Sequence, residues 1–187
     1  TFDLAPGVAI FAGYATAFRA AFGFVGVAVP KPETSRNVEG GLKLAMPKAH
    51  LSGTISVFDQ IRDNVATADP NNLGFNIQTG RQRARGVEAD IVWEPSPAFS
   101  LLATYAHTAT KVTADNTIPV GSELTRVPKN SGRIAARYRV LNGPAKGLSF
   151  GAGVTALSAP QLTLPNTISV PGYAVIDAQA AYDLGRF

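Results

Sequence analysis

Apolar and polar residues alternate along most of this chain with a period of two. The alternation breaks at clusters of Pro, Gly, Asn and Asp, which is the pattern of β-strands joined by turns. About eight strands are predicted: 7–18, 36–46, 49–62, 75–94, 99–112, 126–141, 147–158 and 172–184. One face of each is apolar. In the third strand Leu51, Ile55 and Val57 oppose Ser52, Thr54, Ser56, Gln60 and Arg62, and in the fourth Val87, Ala89, Ile91 and Trp93 oppose Glu88 and Asp90. In the second, Val38, Leu42 and Leu44 oppose Glu39 and Lys43; in the sixth, Ile134, Ala136, Tyr138 and Val140 oppose Arg133, Arg137 and Arg139.

The connections alternate in length. A long Gly/Pro-rich stretch follows the first strand, but only Pro47 and Lys48 separate the second from the third. DNVATADPNNLG is long, PSPA short, the loop to Thr125 long, NGPAK short and APQLTLPNTISVP long. A soluble sandwich has no reason to gather its long loops at one end. A transmembrane barrel does, with short periplasmic turns and long external loops. The predicted fold is therefore all-β, an antiparallel up-and-down transmembrane β-barrel segment.

Composition agrees. The chain of 187 residues is 45% hydrophobic but only 16% charged, below the roughly 25% charge of an ordinary soluble domain. Its mean hydropathy is +0.08, yet no run reaches the ~18 apolar residues of a membrane helix. There is no Cys, which excludes disulfides and thiolate metal sites. The net charge of +4 suits lumen charge pairing, or attraction to anionic ligands and lipopolysaccharide phosphates. Without a basic run interleaved with aromatics, no nucleic-acid partner is expected. TFDLAPGVAIF has neither the charged nor the apolar region of a signal peptide, so the sequence is expected to start within a longer protein or after processing.

Few side chains suggest chemistry. GAGVTA at 151–156 matches a dinucleotide fingerprint, but LSAPQLTLP follows it where a helix is required; its glycines are read as making room for neighbours. His50, read as a strand-start residue, and His107 lie far apart with no Cys or carboxylate at ligand spacing, so no metal site, cofactor or enzymatic centre is expected. Glu39, Glu88, Asp90, Arg133, Arg137, Arg139 and Asp177 fall on polar faces and are expected to form a lumen charge network, pairing with each other or with whatever fills the lumen; a pair such as Glu88 and Arg137 would suit a small closed barrel. Trp93 and Tyr182, at strand ends beside short turns, are expected in the periplasmic aromatic girdle.

Arg81, Arg83 and Arg85 share parity with Val87 and Trp93. In a strand tilted by about 45° they would stand roughly 28, 23 and 19 Å above Trp93, against an apolar band of about 25 Å. Either they snorkel to the outer headgroups, or a bulge at Gly86 turns them into the lumen.

The hairpin TGRQRARGVEADIVWEPSPAFSLLATY resembles the GR-x-R-x-RGVE hairpin of TonB-dependent outer-membrane receptors, which import ferric siderophores. KPETSRNVEGGLK, LSGTISVFDQIRDNV, VPKNSGRIAARY and VPGYAVIDAQAAY resemble further stretches of that family in the same order, as does GVAIFAGYATAFRA, with its aromatic-Arg ending. The resemblance implies a large barrel with an N-terminal plug inside it, ligand capture at the external loops, and translocation energised by TonB. It implies a ferric siderophore as ligand, iron entering only as part of the chelate, and outer-membrane lipid and lipopolysaccharide around the wall. The plug, the TonB-contacting segment and the final strands are expected to lie outside this sequence. Gln60, Arg62 and Tyr173 are the residues expected near the external mouth. The alternatives are a small closed eight-stranded barrel without transport and a soluble β-sandwich.

Overall fold

In the computed structural model, residues 1–20, 30–68, 71–72 and 74–184 are described. Residues 21–29 of the first long connection, part of the DNVATADPNNLG loop, and the terminal Phe187 lie outside them. The strands are β1 (Phe2–Ala5), β2 (Val8–Arg19), β3 (Glu33–Met46), β4 (Leu51–Ala68), β5 (Asn76–Ser96), β6 (Phe99–Ala114), β7 (Asn130–Arg139), β8 (Leu148–Leu157) and β9 (Tyr173–Tyr182). They make one nine-stranded antiparallel sheet in chain order, β1 and β9 at its edges among the described residues.

The alternation of short turns and long loops is present as expected. Among the described residues nine strands stand where about eight were expected, the addition being β1. β1 has only four residues, too few for a periodicity, and it is turned back onto β2 by Pro6 and by Gly7 at φ +82°. Several boundaries also move, β3 starting three residues earlier, at Glu33. β4 runs on to Ala68, past a register shift at Asn64, whose φ is 59°. β7 starts only at Asn130, because Arg126 adopts a left-handed backbone in the loop before it. His50 is likewise a left-handed turn residue just ahead of β4. The edge strands do not pair with each other, so the closed eight-stranded barrel is not formed.

Residues opposite one another in an antiparallel ladder share a face, so the register assigns faces across the sheet. One row reads Val8, Leu44, Gly53, Ile91, Ala103, Ile134, Val154, Ile176. The adjacent row, pointing the other way, reads Ala9, Lys43, Thr54, Asp90, Thr104, Arg133, Thr155, Val175. No second layer covers the apolar face among the described residues: Phe18 is 82% exposed, Ile176 77%, Tyr14 69% and Ile134 61%. The only fully buried apolar side chain among them, Val112, lies under the β6–β7 loop instead. Such a face is stable only against hydrocarbon.

The upper limit of that face falls strand by strand. In the row Tyr14, Val38, Asp59, Arg85, Ala109 the apolar character has already ended in β4 and β5. In β2 it continues above this row to Phe18, whereas in β6 it ends below it, at Tyr105. A sheet tilted about 45° in a membrane steps by roughly 1.5 residues per strand, since strands are about 4.8 Å apart and rise about 3.3 Å per residue. The descending limit is thus the trace of a level membrane boundary across tilted strands. β7, β8 and β9, at 10 residues each, match the 9–11 needed to cross. β4 and β5, with 18 and 21, project well beyond it.

On the polar face, glycines let long side chains cross neighbouring strands. Arg133 in β7 passes over Gly153 in β8 and grips Asp177 in β9 with two hydrogen bonds, 2.7 and 2.8 Å, donating also to the Thr155 hydroxyl at 2.8 Å. A Cβ on Gly153 would stand 2.7 Å from the Arg133 guanidinium. Gly151 similarly makes space for Gln179. The glycines of GAGVTA therefore serve packing.

Two outcomes are expected in the whole barrel. Val87→Arg, near mid-height on the apolar face, costs about 2–4 kcal/mol while Asp90→Arg, on the polar face, costs far less; unfolding in denaturant from lipid vesicles measures both, and equal costs would contradict the assignment of faces. Gly153→Val displaces Arg133 from Asp177 and lowers stability; the same change in an Asp177→Asn background then costs measurably less.

Candidate functional site

The polar face is concave at the long-loop end. A cavity of about 480 Å³ is lined there by Asn37 and Glu39 of β3, Gln60 and Arg62 of β4, Gln82 and Glu88 of β5, Thr108 and Thr110 of β6, and Leu124 and Val127 of the β6–β7 loop. The period of two puts these donors and acceptors side by side, since Asn37 faces Gln60, Gln60 faces Ala84, and Arg62 faces Gln82 across their ladders. Phe58 and Ala84 of the strands line the cavity too, with Leu124 and Val127 of the loop, so its donors and acceptors stand among apolar walls.

Arg62 is held from both flanks. It is ion-paired with Glu33, and its Nη1 donates to Gln82 Oε1 at 3.4 Å. Glu33 also accepts from Arg19 Nη2 at 2.6 Å. Two guanidiniums thus share one carboxylate across β2, β3 and β4, and the cluster keeps a net positive charge. Arg19 and Glu33 were not among the expected site residues. The signal was available in the aromatic-Arg end of GVAIFAGYATAFRA and in the parity of PETSRNVE, but the pairing register was not.

The loops are tied down by side-chain amides that read backbone groups in both directions. Gln78 accepts from Lys31 N at 2.7 Å and donates to Lys31 O at 2.5 Å, fastening the end of the β2–β3 loop to β5. Asn166 accepts from Glu123 N at 2.6 Å and donates to Glu123 O at 2.9 Å, joining the β8–β9 loop to the β6–β7 loop. Asp115 caps the start of that second loop through Thr117 N and Ile118 N, at 2.8 and 2.9 Å. Leu124 N donates to Thr110 Oγ1 at 3.0 Å, which draws the loop over the polar face.

Of the three residues expected near the mouth, Gln60 and Arg62 share this cavity. Tyr173 lies on the same face at the loop end of β9, exposed, opposite Leu157 and away from the other two. The expected charge network is all on the polar face, but its ion pairs are Arg133 with Asp177, and Arg139 with Asp183 at 2.8 Å. Glu88 and Arg137 do not pair: they lie in separate concavities, Glu88 at the loop end and Arg137 near the turns beside Ser100 and Glu94. Trp93 and Tyr182 occupy turn-end positions on the apolar face, and Trp93 meets Phe99 edge-on at 6.3 Å. His107 contacts Asn130 Oδ1 through Nδ1 at 2.9 Å and lies far from His50 in the β3–β4 turn.

The arginine hairpin has a definite orientation. The ladder continues unbroken through Gly86, with Val57 opposite Val87 and Asp59 opposite Arg85, so the bulge that would turn the arginines inward is not formed. Arg81, Arg83 and Arg85 stand on the apolar face, above its apolar band. Arg83 pairs with Asp59 and Arg81 with Asp63, two carboxylates of β4 that were not among the expected site residues.

Comparison with known proteins accounts for the whole of this architecture. A family model described as "TonB dependent receptor-like, beta-barrel" matches residues 1–187. The metal-pseudopaline receptor CntO of Pseudomonas aeruginosa is 31% identical over 154 residues, 82% of this chain and 22% of that protein. The ferrichrome outer membrane transporter/phage receptor of Escherichia coli K12 is 30% identical over 155 residues, 83% of this chain and 21% of that protein. Among solved structures, the siderophore receptor PiuA of Acinetobacter baumannii superposes with a TM-score of 0.82 at 22% identity, covering 99% of this chain and 29% of that one. FpvA of Pseudomonas aeruginosa, bound to a heterologous pyoverdine, gives 0.82 at 20% identity, covering 98% and 26%. The chain spans about a fifth of the length of these curated relatives. A single-layer tilted sheet with a lipid-seeking face, long loops at one end, and a family match along its full length have one common meaning: the chain belongs to the TonB-dependent receptor family, as a stretch of its outer-membrane β-barrel wall.

Proposed function

We propose that the whole protein is an outer-membrane receptor that binds ferric siderophores and, energised by TonB, passes them inward. The observation that carries this reading is the cavity at the loop end of the lumen face, where Arg62, sharing one carboxylate with Arg19, stands beside Gln60, Asn37 and Gln82 among apolar walls. Ferric chelates present anionic and carbonyl oxygens, which guanidinium and amide donors match. Relatives named as receptors for ferrichrome, ferric pyoverdine and ferrioxamine B support the same class of ligand.

In this reading Gln60 and Arg62 touch the chelate, and Tyr173 offers a ring and a hydroxyl from across the mouth. Iron enters as part of the cargo, and the process is binding and gated passage without bond chemistry. A plug and a TonB-contacting segment would belong to other parts of the protein. Outer-membrane lipid and lipopolysaccharide would surround the wall, with Trp93 and Tyr182 in the periplasmic girdle. The lumen charges Glu39, Glu88, Asp90, Arg137 and Arg139, with the Arg133–Asp177 pair, would line the route.

Two measurements test the proposal. Cells carrying the full-length gene are expected to take up radiolabelled ferric siderophore from at least one chemical class, and to lose uptake when TonB is removed; no uptake from any class, or uptake indifferent to TonB, would sink the reading. In the purified full-length protein, Arg62→Ala is expected to weaken chelate binding by roughly tenfold, the effect of losing one charge-assisted contact, with Gln60→Ala weaker in effect. Affinity unchanged in the double variant would remove these residues from the site.

A further inference from the structure

Glu33 stands at the centre of the charged side of the mouth, and its placement follows from the register. On the lumen face of β3 it lies directly opposite Arg19 of β2. Arg62 of β4 is opposite Ser35, whose short side chain leaves the guanidinium room to lean diagonally onto Glu33. Glu33 accepts from Arg19 Nη2 at 2.6 Å and is ion-paired with Arg62. Its side chain is only 11% exposed, against 70% for that of Arg19 and 37% for that of Arg62. The carboxylate is therefore covered by the two cations it joins, and a ligand in the lumen meets the arginines before it meets Glu33.

Two guanidiniums and one carboxylate leave a single positive charge. The cavity adds no more. Its other charged lining residues are Glu39 and Glu88, both acidic, and Arg83, which stands on the outer face and is taken by Asp59. A ligand rich in oxygen but low in charge suits this wall, because Arg62, Gln60, Gln82 and Asn37 can donate to its coordinated oxygens and carbonyls. A triply anionic ligand would meet one net cation flanked by two carboxylates, and like charges at this range repel. Ferric chelates divide along the same line. Three hydroxamates neutralise the ferric ion, whereas three catecholates leave a triple negative charge.

We infer that Glu33 is a positioning residue that sets ligand specificity. By holding Arg19 and Arg62 on one carboxylate it limits the charge of the mouth, and so selects uncharged chelates of the tris-hydroxamate kind over triply anionic tris-catecholates. Specificity of this sort is a difference between two affinities, set as much by what is repelled as by what is bound. The inference rests on the siderophore reading and adds to it the class of chelate.

The test uses the purified full-length receptor in detergent, with an uncharged ferric tris-hydroxamate and a ferric tris-catecholate as probes, each titrated by quenching of protein fluorescence. The native protein is expected to bind the tris-hydroxamate more tightly. Glu33→Gln, which leaves both guanidiniums without a counter-charge, is expected to shift the affinity ratio about fivefold toward the tris-catecholate, the scale of an exposed ionic contact. Arg19→Gln removes one of the two cations and is expected to shift the ratio the other way. Its exposed side chain makes it the second variant where Glu33→Gln fails to fold, and heat-modifiable gel mobility reports folding in each case. Arg19→Gln/Glu33→Gln keeps the native net charge and is expected to return the ratio toward its native value, while weakening both chelates because Arg62 has lost its anchor. Raising the salt concentration is expected to shrink the differences among the variants. A purely structural Glu33 weakens both chelates alike. An unmoved ratio in Glu33→Gln and Arg19→Gln, a ratio indifferent to salt, or a native preference for the tris-catecholate overturns the inference. Arg62→Ala is measured alongside: if it weakens chelate binding while the ratio stays fixed in the other variants, only the specificity assignment fails. Binding of neither chelate overturns that assignment too, and the siderophore reading falls with it where the uptake assay is also blank.

Discussion

This structure depends on the absence of an apolar interior. A sheet of one layer has two faces and no inside, so the burial that stabilises a soluble domain has to come from outside the chain. At roughly 25 cal/mol per Å² of apolar surface removed from water, the bilayer supplies what a second sheet would supply in a sandwich. That requirement sets the period-two pattern, the low charge content and the aromatic positions near the short turns. It also removes any pressure for bulky residues on the other face, which is free to be polar, glycine-rich and crossed by long side chains such as Arg133.

The strands were legible because alternation is imposed residue by residue, and a strand long enough to cross a membrane repeats the signal several times. β1 was not legible, because four residues cannot display a period. Faces were legible for the same reason as strands. What parity could not give was register, and the pairs depend on register. Arg81, Arg83 and Arg85 were visible as arginines of two possible directions, and nothing marked Asp59 and Asp63 as their partners; only the ladder from Val57–Val87 upward shows that they meet. The same limit explains why Glu88 and Arg137 looked like partners. Both belong to the polar face, but their cavities are at different ends of it.

The candidate site was half legible. Gln60 and Arg62 are two apart on one strand, so they share a face whatever the fold, and the structure places both in one cavity. Tyr173 shares the face and the loop end but comes from β9, and sequence distance carries no information about its separation from β4 around a curved wall. Arg19 and Glu33 flank a long connection that hides their proximity. Loop contacts were least legible of all. The bidirectional grips of Gln78 on Lys31 and of Asn166 on Glu123 use backbone groups, to which any residue contributes equally.

Those two grips bear on how such a wall can report ligand arrival. A loop held only by apolar contacts can slide, whereas an amide that both donates to and accepts from one peptide unit fixes position and direction together, and releases both together. The β6–β7 loop is fixed to the β8–β9 loop by Asn166 and to the sheet through Thr110, and it supplies Leu124 and Val127 to the cavity. Movement of that cavity wall is therefore coupled to a second loop through the Asn166 side chain and the backbone bond from Arg126 N to Gln161 O at 2.8 Å. The Arg19–Glu33–Arg62 cluster opposes it from the other flank, where one carboxylate shared by two guanidiniums leaves positive charge available at the mouth without leaving either arginine unanchored. The external end thus combines a charged side fixed to strands with an apolar side carried on linked loops, and in the proposed reading a displacement on ligand binding would fall on the loops.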